Sequence, residues 1–181
     1  MKEIAMTELT PALLTRFQES LDREEIRHLL SLYPRAIDRN DPELLRKIYW
    51  PDGTDDHGTF SGGLDAFIDW AFPQLLMLDQ THHHVGNPCI VVNGTRAHAE
   101  AYYIAYHRAK SESNSRDFVV GGRYLDRLEK RGAEWRILAR IATFDYNAIC
   151  DGQPWTAFGF SQPGSIGGRK PEDALYRTLT F

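Results

Sequence analysis

Apolar residues follow two different rhythms along this chain. Up to about residue 78 they recur every three or four positions, and beyond it they alternate. Across residues 22–38, Ile26, Leu29, Leu30, Tyr33 and Ile37 keep the spacing of an amphipathic helix. Pro34 removes one backbone donor from that stretch, which predicts a kink near its last turn. Asn40-Asp41-Pro42 then supplies an N-cap followed by proline at the first helical position. Leu44, Leu45 and Ile48 form the buried side of a short second helix, ended by Trp50-Pro51-Asp52-Gly53. A short strand is expected over residues 55–60, a Gly-rich turn at Ser61-Gly62-Gly63, and a third helix over residues 64–78 carrying Phe67, Trp70 and Leu75.

The second rhythm predicts four long strands, over residues 82–92, 95–107, 118–128 and 135–147. Asn93-Gly94 is a hairpin signal between the first two, residues 111–116 make a polar loop, and Lys130-Arg131-Gly132-Ala133 turns the chain into the last strand. Helices first and strands later predict an α+β domain, with the N-terminal helices covering one face of a curved antiparallel sheet. Gly121-Gly122 within a strand suits a bulge or bend that closes such a sheet into a cone. A cone covered by helices encloses a pocket. The domain is expected to span residues 1–150. Residues 151–181 read as an irregular tail whose Trp155, Phe158 and Phe160 pack on the pocket or on a neighbouring subunit.

A length of 181 residues suits one domain with a substantial core. With 21 basic and 25 acidic residues the formal net charge is -4, which provides no long-range attraction for nucleic acid or an anionic membrane. No apolar run approaches the roughly 20 residues that cross a bilayer. Cys89 and Cys150 lack metal-type spacing, and the N-terminal segment lacks the basic and apolar regions of a signal peptide, so a cytoplasmic setting is expected. Phosphate-binding glycine loops and serine or cysteine nucleophile signatures are missing, which disfavours nucleotide-dependent and acyl-enzyme mechanisms.

The candidate chemistry centres on His82-His83-His84. Side chains alternate across a strand, so His83 points to the face opposite its two neighbours. An imidazole aimed into the concave side of a sheet, with Asp38 brought to it from a helix end, is the minimum equipment for proton abstraction near neutral pH. The bland alternative is a satisfied core histidine. A metal site built from the histidine run with His57 and Asp55 or Asp56 is disfavoured, because adjacent strand side chains diverge. His98 and His107, on the strand that carries Tyr102, Tyr103 and Tyr106, read as surface or interface residues, and Asp117 is a further candidate pocket acid.

Several segments, taken in order, resemble a known family: Tyr33-Pro34-Arg35-Ala36-Ile37-Asp38, Asp56-His57-Gly58-Thr59-Phe60, Thr81 through Asn87, Gly121-Gly122-Arg123-Tyr124 and Trp135-Arg136-Ile137. Over about residues 20–148 the chain resembles the SnoaL-like branch of the nuclear-transport-factor-2-like superfamily. Within it, the likeness is greatest to hexachlorocyclohexane dehydrochlorinase, scytalone dehydratase and bile acid 7α-dehydratase, cofactor-free lyases on a cone-shaped barrel. The resemblance implies a catalytic dyad of Asp38 and His83, with Arg140 and Tyr33 at two further matching positions. It implies a cofactor-independent lyase or isomerase acting on a small hydrophobic cyclic or aromatic substrate, in a homo-oligomer, dimer or trimer. The same cone also serves as the structural β-subunit of aromatic-ring-hydroxylating dioxygenases, and a hydrophobic ligand-binding module is a third possibility.

Overall fold

The computed structural model describes residues 10–110, 116–152 and 167–178. Its first element, α1 (Pro11–Asp38), is capped by Thr10, whose hydroxyl accepts from the Leu13 N–H at 3.3 Å. The helix starts two turns or more ahead of the apolar periodicity, because Leu13, Leu14, Phe17 and Leu21 stay exposed and mark no buried face. Its second half carries the core stripe of Ile26, Leu30, Tyr33 and Ile37. Full burial of an aliphatic or aromatic side chain contributes roughly 1.5–3 kcal/mol, so this stripe fixes the helix on the sheet.

Asp41 caps α2 (Pro42–Ile48) through the Leu44 N–H at 3.2 Å. The chain then enters β1 (Tyr49–Asp56) directly, turns, and forms β2 (Ser61–Gly63). The strand expected at 55–60 is therefore displaced, and the glycine run expected as a turn is a short strand. Trp50-Pro51-Asp52-Gly53 reads as a terminator by composition, but Trp50 donates its indole N–H to the Glu129 carbonyl at 2.9 Å and its ring lies under Arg131 and Arg136. A register irregularity between Tyr49 and Thr54 accommodates the proline and glycine.

After α3 (Leu64–Leu76) come β3 (Gln80–Asn93), β4 (Arg96–Arg108), β5 (Asp117–Arg131) and β6 (Glu134–Cys150); β3, β5 and β6 are longer than their periodicity predicted, and β4 is shifted by one residue. Asn93 pairs with Arg96, which leaves Gly94-Thr95 as a two-residue loop with Gly94 at φ 59°, the type II′ arrangement. The strand order is β2-β1-β6-β5-β4-β3, and the sheet is curved and unclosed. All neighbours are antiparallel except β1 and β6, which run parallel. That pairing joins residues far apart in sequence and has no local signal.

The expected bulge lies between Gly121 and Gly122, where the register against β6 shifts. A Cβ on Gly122 would stand 1.9 Å from the Thr143 carbonyl oxygen, so only glycine allows this approach. On β4 the inward residues are small, Ala97, Ala99, Ala101 and Ala105, with Tyr103 among them. Near the middle of α1, buried Asp22 accepts from Lys130 Nζ at 2.7 Å and from the Trp135 indole at 2.9 Å, tying the helix to the β5–β6 turn.

Trp155, Phe158 and Phe160 lie outside the described residues. The described part of the tail packs on its own chain. The Lys170 N–H donates to the Arg39 carbonyl at 2.8 Å, Lys170 Nζ and the Tyr176 hydroxyl reach the Asp41 carboxylate at 3.0 and 3.1 Å, and Arg169 Nη2 donates to the Leu75 carbonyl at 2.6 Å. A short helix, α4 (Ala174–Thr178), ends the described chain.

Candidate active site

Strand β3 is an edge strand, so alternate N–H groups along it have no strand partner. Asp38, the last residue of α1, meets one of them. Its Oδ2 accepts from the His83 backbone N–H at 2.8 Å, and its Oδ1 lies 2.7 Å from His83 Nδ1. One carboxylate thus fixes both the strand and the ring. A carboxylate at Nδ1 keeps that nitrogen protonated and leaves the Nε2 lone pair as the basic position. Burial works against the charge on Asp38, but the hydrogen bonds and charge of His83 outweigh it and hold the carboxyl below its ordinary range. Asp38 is therefore an anion at neutral pH.

His82 and His84 are exposed while His83 is only 9% exposed, as strand alternation requires. His83 faces a cavity of about 360 Å³ between α1, α3 and the sheet, with Phe67, Trp70, Leu75 and Phe118 as apolar walls. Tyr33 and Ile37, one helical turn apart, line it as well. Asp38 does not line it, since one further residue turns the chain by about 100°. It stands behind His83 and acts through the ring, so Tyr33 and Asp38 have no need of a common face. Burial, followed by the charge of Asp55, pushes the Tyr33 phenol far up, and it remains a neutral donor.

Arg140 lies elsewhere. Its Nε and Nη2 donate to the two oxygens of Asp126, each at 2.7 Å, and both side chains are wholly buried. The guanidinium carbon lies 3.9 Å from the Tyr33 ring centre and 4.2 Å from that of Tyr124. Burial opposes its charge, but Asp126 outweighs that and keeps it protonated. Register makes the arrangement: Asp55 pairs with Arg140 and Arg140 with Asp126, a row of alternating charge across β1, β6 and β5. Arg140 is not among the cavity-lining residues, and the Tyr33 ring lies against it.

Two cavity residues escaped the sequence reading. His107, expected at the surface, lines the cavity; its ring centre is 5.6 Å from that of His83 and stacks on Phe118 at 4.3 Å. The inward series Ala97, Ala99, Ala101, Tyr103 and Ala105 continues at His107 and not at His98, which is exposed. Burial and the neighbouring His83 push the His107 pKa down to about 4, so it is neutral at pH 7. The second is His57, considered only as a metal ligand, which lines the cavity with Nδ1 hydrogen-bonded to Asp55 Oδ1. Asp117 is buried but engaged by the Tyr106 hydroxyl and the Ala109 N–H, and it is not a cavity residue.

The family profile described as the SnoaL-like domain matches residues 18–141. The chain belongs to the SnoaL-like family. No curated protein sequence matches this SnoaL-like domain. Among solved structures, LinA is 18% identical with a TM-score of 0.69, covering 77% of this chain and 98% of its own. A Novosphingobium aromaticivorans protein named provisionally as a scytalone dehydratase is 23% identical with a TM-score of 0.65, covering 75% and 91%. A nuclear transport factor 2-like superfamily protein from Salmonella enterica is 19% identical with a TM-score of 0.64, covering 71% and 94%. At these identities the likeness is one of fold.

Proposed function

We propose that this SnoaL-like domain is a cofactor-independent lyase or isomerase of the dehydratase or dehydrohalogenase type, acting on a small hydrophobic ring. The observation that carries the reading is the pair of hydrogen bonds that the Asp38 carboxylate accepts from His83, with the imidazole facing an apolar cavity. His83 Nε2 takes a proton from a carbon acidified by a neighbouring carbonyl or leaving group. Asp38 holds the tautomer and balances the imidazolium that forms. Tyr33 donates a hydrogen bond where negative charge develops. Arg140 adds a fixed positive charge behind the Tyr33 ring without touching substrate. A volume near 360 Å³ is at the small end of ligand pockets, which favours one or two rings.

The assay is loss of α-deuterium from labelled cyclic ketones, followed by NMR. Positioned general bases contribute ~10²–10⁴-fold, so His83→Gln is expected to lower exchange by that range and Asp38→Asn by a smaller factor. Exchange at the wild-type rate in a folded His83→Gln protein refutes the reading. The homo-oligomer expected of the family has a candidate surface in the exposed Tyr102, Ile104 and Ile141 of the outer sheet face. Light scattering across a dilution series tests it, and a single-chain mass throughout removes it.

A further inference from the structure

We propose that the cavity contains a second carboxylate-oriented imidazole, Asp55–His57, that serves as the general acid, so that the substrate loses an oxygen leaving group, typically hydroxyl. This rests on the reading of His83 as the base.

Asp55 is 1% exposed, and both its oxygens are engaged, one by His57 Nδ1 and the other by the Tyr49 hydroxyl at 2.6 Å. The loop after β1 is closed by the His57 N–H donating to the Phe60 carbonyl at 2.8 Å, and the imidazole stacks on Phe67 with ring centres 4.9 Å apart. With Nδ1 held from behind, Nε2 is the nitrogen left for a ligand, the same arrangement as at His83. The two dyads share no residue. His83 comes from β3 at one edge of the sheet, whereas His57 follows β1, four strand positions away in the order β2-β1-β6-β5-β4-β3. Both rings line one cavity, so a bound ring lies between them.

A lone base suffices to expel halide, which leaves as a stable anion. Hydroxide is a poor leaving group, because its conjugate acid, water, is a very weak acid, and its expulsion needs a proton from a second group. In the step proposed, His83 Nε2 takes the proton on the carbon next to a carbonyl, and that C–H electron pair becomes the C=C bond. The C–O bond breaks with its pair moving to oxygen, which accepts the proton from Nε2 of the His57 imidazolium, and water departs. Solvent then removes the proton from His83 and returns one to His57. Nothing is oxidised or reduced.

The test uses cyclohexanones carrying hydroxyl, phenoxy or 4-nitrophenoxy at C3, with the enone followed by its ultraviolet absorbance. In the wild type the rates are expected to depend weakly on leaving-group basicity. In His57→Gln the hydroxyl substrate is expected to slow by ~10²–10⁴-fold and the 4-nitrophenoxy substrate by less than about tenfold. A merely structural His57 would slow all three alike, and that result overturns the proposal. Should His57→Gln not fold, the wild-type series decides alone: expulsion of 4-nitrophenoxide without expulsion of hydroxide overturns it. A wild type inert to all three and to α-deuterium exchange removes the base reading and this inference together, whereas an active wild type that His57→Gln matches across the series removes only this inference.

Discussion

Replacing Arg140 by methionine separates a structural from a chemical account of this residue. The substitution removes two 2.7 Å hydrogen bonds to Asp126 and leaves that carboxylate at 0% exposure without its counter-charge. Breaking a buried ion pair from one side costs about 3–5 kcal/mol. Loss of the contacts with Tyr33 and Tyr124 adds a smaller amount, partly offset by thioether–ring packing. For a chain of this length each kcal/mol moves the melting temperature by about 2–4 °C, so Arg140→Met is expected to melt roughly 6–20 °C below wild type. Thermal unfolding by circular dichroism, at fixed pH and protein concentration, measures it. Adding Asp126→Leu is expected to restore much of the loss, since an apolar pair is often no worse than the ion pair it replaces. A single variant that melts within about 3 °C of wild type yet loses turnover refutes the reasoning and gives Arg140 a direct part in the chemistry.

His107 sets a second test through pH. Its folded value near 4 lies below the ordinary 6.5, so between those values the unfolded chain binds a proton that the folded chain does not. Stability is expected to fall as pH drops through that window and level off below it. His107→Phe should flatten this part of a urea-midpoint profile, and an unaltered slope argues against it. Asp22 and Asp38 act in a separate window. Their folded values are depressed despite burial, by Lys130 and Trp135 for Asp22 and by His83 for Asp38, so their contribution is present above the ordinary carboxylate value and lost as pH falls below it. Asp22→Asn should therefore reduce the acid-limb loss, together with about 1.5–3 kcal/mol at pH 7, and a variant as stable as wild type at pH 7 argues against it. Gly122→Ala should cost more than Gly121→Ala, because an added methyl meets the Thr143 backbone in one case and the movable, half-exposed Tyr146 ring in the other. Overpacking of this kind costs about 1–3 kcal/mol, and equal melting temperatures would contradict the difference.

Much of this architecture was legible because each element carries its own period. The core stripe of α1, the Asp41 cap, the two hairpin turns and the Gly121-Gly122 bulge are local features, and local features can be read from neighbours in sequence. The parallel pairing of β1 with β6 is not local, and Trp50-Pro51-Asp52-Gly53 carried turn composition into a strand. At the site, alternation singled out His83 within its run. The same alternation, continued along β4, would have moved His107 inward. His57 had no such signal: its place depends on β1 lying beside β6, which puts Asp55 opposite Arg140.

The contact between Asp38 and His83 has a colloidal side as well. An edge strand with a free amide is a template for a foreign strand, and sheet proteins protect such edges with charge or cover. Here a carboxylate occupies the His83 N–H at 2.8 Å. The group that orients the base therefore also guards the rim of the sheet against self-association. A substitution at Asp38 opens that rim as it disables the imidazole, so variants there should be assayed for particle size alongside rate.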